Sequence, residues 1–524
     1  MREYYNSRFV VPFKYSSLNN EFIVNKIKSK IYHSHKVWNE VNYIGECDLY
    51  SHVYSLFMKE NCNSLDDKSL GAFFELNPAI LRQPTLNIMP DITTDTIQCK
   101  LVRVGLSIFM NGIGLLWYQV EFNQSLNIES IIKANNVLKE ISYSKNEIYI
   151  LRMQKKKIEG TPILFNRNGD NRRIIYGITP IKYISESSIP VNMKKNGEIK
   201  ILCKKNSLDN LYVEYQESIK FSLKQFINNL LHDVEIKSFF ANRKSSQTTW
   251  GFSPDKAHIF TFHSLFENNL AHKLNFTDIK HLYLFSTGYP VYFQVPNNLI
   301  NEIRKNIFTP ADNLCWYFSI EGCGCFAYCN DRKTIDFFRN NYLDRLEFYF
   351  YIYILVLFQY YTLLDLMIRI SEFPNQLETF NLAEDREKLE ECKRGIAFFR
   401  MKIMFVQISH ITLYNQVYKR LQDVYKIEES LNEVQRDMDA VSNIARQVIQ
   451  ENENKRQNRR DNFLLFFSVI GSILVITEII DCILNIYNRI SIKNYISAWT
   501  FSLLIFSFAG ILGFIIWIGI KRRN

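Results

Sequence analysis

At 524 residues the chain is long enough for two or three domains. It is 47% hydrophobic and 22% charged with few Pro and Gly, which excludes a disordered or low-complexity protein. A net charge of +10 over this length is compatible with an anionic ligand or an acidic membrane surface but does not single out either.

The opening residues, MREYYNSRFVVPFKYSS, contain no apolar run of signal-peptide length, so the part of the chain before its apolar C-terminal segments is expected to stay in the cytoplasm. The ten cysteines are then expected as reduced thiols rather than a disulfide frame. Residues 1–340 read as α/β. Three stretches show a strand, a turn on Gly and a second strand: LSIFMNGIGLLWYQVEF from Leu106, LYLFSTGYPVYFQV from Leu282 and CWYFSIEGCGCFAYC from Cys315. Asn111-Gly112 is the strongest turn signal, because both positions tolerate positive φ. Helical patterns follow the first stretch (around Ile128 to Ile141) and the third (around Thr334 to Tyr342). The three stretches are either a weak hairpin-plus-helix repeat or ordinary meanders.

Cys315, Cys323, Cys325 and Cys329 lack the paired CxxC knuckles of zinc sites, and side chains along a hairpin alternate between its faces, so structural thiols are the expectation and any metal site stays open. No P-loop, dinucleotide fingerprint, HExxH or GxSxG is present, and the chain reads as a non-enzyme without a catalytic set. Basic residues gather around Arg152 and Lys155 and again at Arg167, Arg172 and Arg173. They form either a solvated face or a contact for a phosphate-bearing ligand. Direct nucleic-acid binding is not expected, since no aromatic-basic interleaving accompanies them.

Phe348 to Ile370, FYFYIYILVLFQYYTLLDLMIRI, is apolar enough to span a bilayer, but its tyrosines, Gln359, Asp365 and Arg369 suit a packed cytoplasmic helix better. From Leu382 to Arg460 a long helical region has no Pro and one Gly. In it Val424, Ile427, Leu431, Val434, Met438, Val441, Ala445 and Val448 form a heptad seam. Beyond Val448 the seam positions become Asn452, Lys455 and Arg459.

Two apolar segments follow, about Phe463–Tyr487 and about Tyr495–Ile520, each longer than the roughly 20 helical residues that cross a bilayer core. Only NRISIKN separates them, which predicts a tight transmembrane hairpin. Lys455, Arg456, Arg459 and Arg460 before it, and Lys521, Arg522 and Arg523 after it, place both ends on the cytoplasmic side. Small residues such as Ala509 and Gly513 in the second segment permit close helix contact. The first segment carries Glu478 and Asp481. Stopping it before Glu478 leaves about 15 residues, or roughly 22 Å, too short for the core. Ser468, Gly471, Val475, Glu478, Cys482 and Asn485 fall on one helical stripe with Asp481 at its edge. Such a stripe suits the lining of a pore in an oligomer. The alternatives are a single interhelical hydrogen bond for Glu478 and a place in the headgroup region for Asp481.

This layout of a large α/β domain, a long helix entering a first span, a very short loop, a second span and a basic tail resembles the CorA superfamily of two-span channels. The resemblance covers Leu382 to Asn524 well and the N-terminal domain loosely. It implies a homopentamer in a prokaryotic inner membrane, multi-pass, with the first span lining the pore. Magnesium transporters of that family carry Gly-Met-Asn at the outer end of the first span, where this chain has LNIYNRI, so ordinary magnesium selectivity is not implied. In lacking that motif, and in its large N-terminal domain and its LVLFQYYTLLDL helix, the chain is similar to divergent CorA-like proteins associated with type III CRISPR systems. For these the implied role is a membrane effector in antiviral defence, gated by a nucleotide second messenger that conjugates S-adenosylmethionine with AMP. The expected organisation is a sensor domain at residues 1–340, a helical stalk at 341–460 and a transmembrane hairpin at 461–524. The expected function is a nucleotide-gated ion channel, with a divalent-cation (magnesium) transporter and a membrane-tethered interaction protein as alternatives.

Overall fold

The computed structural model of the protein describes residues 4–14, 38–41, 48–57, 71–77, 85–88, 97–109, 111–123, 126–139, 150–152, 158–159, 165–167, 171–173, 201–205, 211–215, 219–220, 257–265, 274–329, 332–337, 343–373 and 384–489, with positions 507 and 510. They fall into two compact units, Met1–Asn375 with Ala383–Val441, and Gln376–Leu382 with Ser442–Asn524.

The first unit is α/β. Its strands are β1 (Tyr4–Lys14), β2 (Trp38–Glu40), β3 (Gly71–Leu76), β4 (Thr85–Ile88), β5 (Ile97–Phe109), β6 (Ile113–Phe122), β7 (Ile150–Arg152), β8 (Ile158–Glu159), β9 (Phe165–Arg167), β10 (Asn171–Arg173), β11 (Ile201–Lys205), β12 (Leu211–Tyr215), β13 (Ile219–Lys220), β14 (His258–Leu265), β15 (Phe308–Ala311), β16 (Leu314–Phe318) and β17 (Gly322–Tyr328). Twelve of these make one mixed sheet in the order β13-β7-β4-β5-β6-β1-β14-β17-β16-β15, with β3 also on β5 and β2 on β3. Its described pairs are antiparallel except β14–β17, which runs parallel and so requires a crossover.

The helices are α1 (Ser51–Phe57), α2 (Ile128–Lys139), α3 (Phe276–Thr287), α4 (Asn297–Asn306), α5 (Arg332–Phe337), α6 (Leu343–Ser371), α7 (Glu384–Phe398), α8 (Thr412–Val424) and α9 (Ile427–Arg489). The β14–β17 crossover carries α3 and α4. Helices cover both faces of the sheet. On one face Phe9 stacks on Tyr118, whose hydroxyl donates to Leu138 O on α2, and Tyr5 stacks on His263, which meets Phe285 of α3. On the other, Arg8 lies over the Phe350 ring and Trp117 meets Phe350 edge-on, both against α6. The alternation of β1 between Tyr5, Phe9 and Arg8, Lys14 is the two-residue period of a strand buried on both sides.

The hairpin at Asn111-Gly112 forms as the sequence predicts: β5 and β6 flank it and Gly112 sits at φ 86°. Asn111 Nδ2 also donates to Thr362 Oγ1 at 2.8 Å, tying the turn to α6. The hairpin predicted from Cys315 is β16–β17. The stretch from Leu282 is different: Leu282–Thr287 is the C-terminal half of α3, and residues 288–295 form turns rather than a strand. Asn275 and Asp278 form a reciprocal capping box at the start of this helix, and Ile279, Leu282 and Phe285 are fully buried at intervals of three. Gly288, expected as a hairpin turn, is the left-handed C-cap at φ 65°, its N–H bonded to Leu284 O. The three-fold hairpin repeat therefore does not hold.

The helical region after Leu382 is interrupted. A π-helical turn (Phe399–Ile403) follows α7, and an irregular segment leads to α8. Side chains satisfy the backbone freed there. Asn415 Oδ1 accepts from Ile408 N and Ser409 N, Gln359 Nε2 donates to Ile403 O at 2.8 Å, and the Tyr418 hydroxyl donates to Phe405 O.

At the start of β17, Gly322 meets the backbone of β14 and α3 so closely that an added Cβ would lie 2.3 Å from Ile259 O and 2.7 Å from Ser286 O. Neither carbonyl can move without breaking its own element. Gly322→Ala is expected to destabilise the protein by about 1–3 kcal/mol, read as a lower denaturation midpoint of the full chain in detergent.

Candidate functional site

Two described helices are long and apolar enough to cross a membrane, and their burial separates them. The apolar core of α6 is 78% buried within the protein, whereas that of α9 is 0% buried. Phe463, Leu464, Phe466 and Leu474 on α9 are each at least 60% exposed. A contiguous apolar patch of this size on a soluble surface marks a lipid or protein contact. The reading of Phe348–Ile370 as a packed helix agrees with this contrast.

Ser468, Gly471, Val475, Glu478, Asp481, Cys482 and Asn485 all lie on α9, an unbroken 63-residue helix, and their spacing places the first span's stripe on one side of it. All those with a described side chain are exposed except half-buried Gly471, where a Cβ would meet nothing within 4 Å. Neighbouring hydroxyls are satisfied within the helix: Ser472 Oγ donates to Ser468 O at 2.8 Å and Thr477 Oγ1 to Leu474 O at 2.7 Å. Among the described residues neither Glu478 nor Asp481 has a hydrogen-bond or ion-pair partner. The heptad seam is real within α9, with Ile427, Leu431, Val434, Met438, Ala445 and Val448 buried. It ends where Asn452, Lys455 and Arg459 take over. The second predicted span, the intervening loop and the basic tail lie outside the described residues, apart from single positions at Ser507 and Gly510.

The basic residues are separated. Arg152 is on β7 in the main sheet, in register with Thr85. Arg167, Arg172 and Arg173 are all on the β9–β10 ribbon, and Lys155 lies outside the described residues. Cys323 and Cys325, two apart on β17, share a face, opposite to that of Cys315, because Cys325 pairs with Trp316 and Cys315 with Phe326. Burial pushes the Cys315 thiol up to about 12 and those of Cys323 and Cys325 well above the ordinary range, away from the thiolate that binds metals. Among the described residues no group of three or more His, Cys, Asp or Glu side chains could hold a metal ion.

Sequence reasoning missed the joint that begins α9. The chain leaves α8 at Tyr425, and Lys426 adopts φ 50°, the one non-glycine at positive φ among the described residues. Lys426 O then accepts from Ser430 N to open α9. Such a backbone costs about 1 kcal/mol without glycine and persists where neighbours hold it. The neighbour here is Tyr425, 2% exposed. Its hydroxyl donates to Ile320 O at 3.0 Å in the β16–β17 turn and lies 3.3 Å from both Tyr353 Oη on α6 and His258 Nδ1 on β14. His258 completes the cluster, with Nδ1 2.9 Å from Ile320 O and Nε2 2.5 Å from the Tyr361 hydroxyl. A carbonyl can only accept, so Nδ1 carries the proton and Nε2 receives one from Tyr361. The heptad spacing from Val424 to Ile427 runs straight through this joint, and no Gly or Pro marks it.

No family model, curated protein or solved structure matches the chain.

Burial pushes the His258 imidazole down to about 4; Lys139 adds to this, while the Ile320 carbonyl and Glu321 oppose it. In the unfolded chain the same ring titrates near 6.5, so between these values unfolding takes up a proton. The contribution of neutral His258 to stability is full above about pH 6.5 and is lost as the pH falls toward about 4. Thermal melts of the full chain in detergent are expected to fall through this window, and His258→Gln to flatten that part of the profile relative to the wild type. Equal slopes in both would show that carboxylates alone set the acid limb.

Proposed function

We propose that the chain is the subunit of a homo-oligomeric ion channel of CorA-like layout, a pentamer, whose pore is lined by the stripe on α9 and whose α/β unit senses a cytoplasmic nucleotide. The observation that carries this reading is the exposed apolar segment of α9 with a carboxylate in its midst. Holding an ionised side chain within hydrocarbon costs up to roughly 3 kcal/mol on insertion scales. Facing water on the axis of an assembly offsets that cost, and a lone hairpin has no such interior. The acidic stripe favours cations, and without Gly-Met-Asn the pore lacks the family's magnesium filter.

The nucleotide trigger, of the S-adenosylmethionine–AMP type, and the role as a membrane effector in antiviral defence come from the resemblance. What supports an anionic ligand is the β9–β10 ribbon with Arg167, Arg172 and Arg173. Gating is then a two-state equilibrium: the ligand binds one arrangement of the α/β unit better, and opening follows from that difference in affinity. The exposed span also fits a second reading, a membrane anchor for an interaction protein.

Purified protein in liposomes is expected to release monovalent cations on addition of the nucleotide conjugate and to stay closed without it. Glu478→Gln is expected to lower the preference for cations over anions several-fold. Identical flux with and without nucleotide removes the gating reading. Rescue of magnesium-dependent growth, with no nucleotide requirement, makes the protein a transporter. A monomer or dimer by native mass measurement, with no flux, makes the hairpin an anchor.

A further inference from the structure

The buried seam of α9 ends at Val448, and from Glu453 to Asn462 every residue is exposed. The exposed apolar span begins directly after, at Phe463. Four cations, Lys455, Arg456, Arg459 and Arg460, fall in this bare stretch, and Asp461 is the one acid between Lys455 and Phe463. A helix that is polar all round is ordinarily stabilised by ion pairs three or four residues apart. Glu451 stands four residues before Lys455, and Glu453 three before Arg456, which are the spacings such pairs need. Yet among the described residues none of the four cations has an ion-pair or hydrogen-bond partner. We infer that Lys455, Arg456, Arg459 and Arg460 form a docking surface for the anionic headgroups of the leaflet that α9 enters. This rests on the reading of α9 from Phe463 onward as a membrane span, and not on a pore or an oligomer.

Distances along the helix select this occupant. At 1.5 Å per residue, Arg460 and Arg459 lie about 5 and 6 Å before Phe463, and Arg456 and Lys455 about 11 and 12 Å before it. The headgroup region is about 5–7 Å deep on each side of the hydrocarbon core. With Phe463 at the edge of the hydrocarbon, the two nearer arginines stand among the phosphates. The two outer cations stand just above them, within reach of their own long side chains and of a surface potential that decays over about 10 Å at 0.1 M salt. Guanidinium groups meet phosphate oxygens in charge-assisted, bidentate pairs, and three of the four cations are arginines. Each Lys or Arg near an anionic surface strengthens association about fivefold. Asp461 offsets one of the four, so the stretch keeps a clear preference for lipids with net negative charge over zwitterionic ones that carry the same phosphate.

The experiment reconstitutes the full-length protein in phosphatidylcholine vesicles with a trace of spin-labelled phosphatidylglycerol or spin-labelled phosphatidylcholine. The motionally restricted fraction of the spin-resonance spectrum gives the relative association of the two lipids with the protein. At about 0.1 M salt the wild type is expected to prefer phosphatidylglycerol several-fold, and at about 1 M, where the Debye length is about 3 Å, the preference should fall toward unity. The combined variant K455Q/R456Q/R459Q/R460Q is expected to lower the preference several-fold in dilute salt, and what remains reports the basic tail at Lys521, Arg522 and Arg523. Arg459→Gln and Arg460→Gln should each lower it more than Lys455→Gln. Arg446→Gln, at an exposed site on α9 about 25 Å before Phe463, should leave it unchanged. An unaltered restricted fraction of labelled phosphatidylcholine shows that each variant inserts as the wild type does. A wild type without preference, a combined variant that keeps it, or an Arg446→Gln effect equal to that of Arg460→Gln overturns the inference. A wild type that restricts neither lipid overturns the reading of α9 as a membrane span.

Discussion

The first unit depends on one contact: α6 laid across a face of the sheet. From Phe348 to Phe358 every residue of this helix is buried, and its rings interlock with those of the strands. Phe358 stacks on Phe109 with centroids 3.8 Å apart, Phe350 meets Trp117 and Phe260, and Tyr349 meets Trp316. Aromatic pairs of this kind contribute about 0.5–1.5 kcal/mol each beyond the area they bury. Charges fix the two ends of the helix. Glu347 near its start pairs with Arg103, which also pairs with Glu75, and Asp365 near its end pairs with Lys14 and Arg369. These pairs are partly buried, and two of them join α6 to different strands, Glu347 to Arg103 on β5 and Asp365 to Lys14 on β1, so they set the position of α6 along the sheet where apolar packing alone would let it slide.

The same helix organises the chain after it. Gln359 is fully buried, and its amide donates both to Ile403 O and to the Tyr418 hydroxyl, which also accepts from Gln422. The π-turn after α7 and the turn of α8 are thereby fixed to one residue of α6. Nearer the start of α6, Tyr353 meets Tyr425 and so reaches the joint at Lys426. A chain of hydrogen bonds thus links the β16–β17 turn, β14, α6 and the residue before α9's cap. Coupling between a sheet and a helix needs a physical connection with two arrangements, and spatial continuity supplies only the first half of that condition. The second half has a candidate in Lys426, whose left-handed backbone is held by Tyr425 and has no preference of its own for staying there.

How much of this is legible in the sequence varies with the range of the interaction. The hairpin at Asn111-Gly112 is local chemistry and is legible, as is the β16–β17 hairpin. The α3 stretch resembles strands because LYLF is apolar and aromatic and Gly288 resembles a turn. The capping box at Asn275 and Asp278 is the competing local signal, and it specifies where a helix starts. The fate of the two apolar helices is visible in their polar residues. In α6, Gln359, Asp365 and Arg369 each find a protein partner, whereas in α9 the carboxylates of the apolar span find none among the described residues. The break between α7 and α8 is not legible, because Gln359 stabilises it from a position 44 residues away from the carbonyl it holds. Nor is the joint at Lys426, since its heptad spacing is the same whether the helix bends or not.

The length of α9 makes that joint consequential. From Ile427 to Arg489 the helix contains one glycine, Gly471, and no proline, so nothing in its sequence invites a kink. A helix of this kind is stiff to twist as well as to bending, because each residue is tied to the one four ahead. A turn of its first residues about the axis is then carried to residues far along it. The hydroxyl of Tyr425, just before this joint, donates to Ile320 O on a turn whose Ile320 side chain is exposed, and it also lies against Tyr353 and His258.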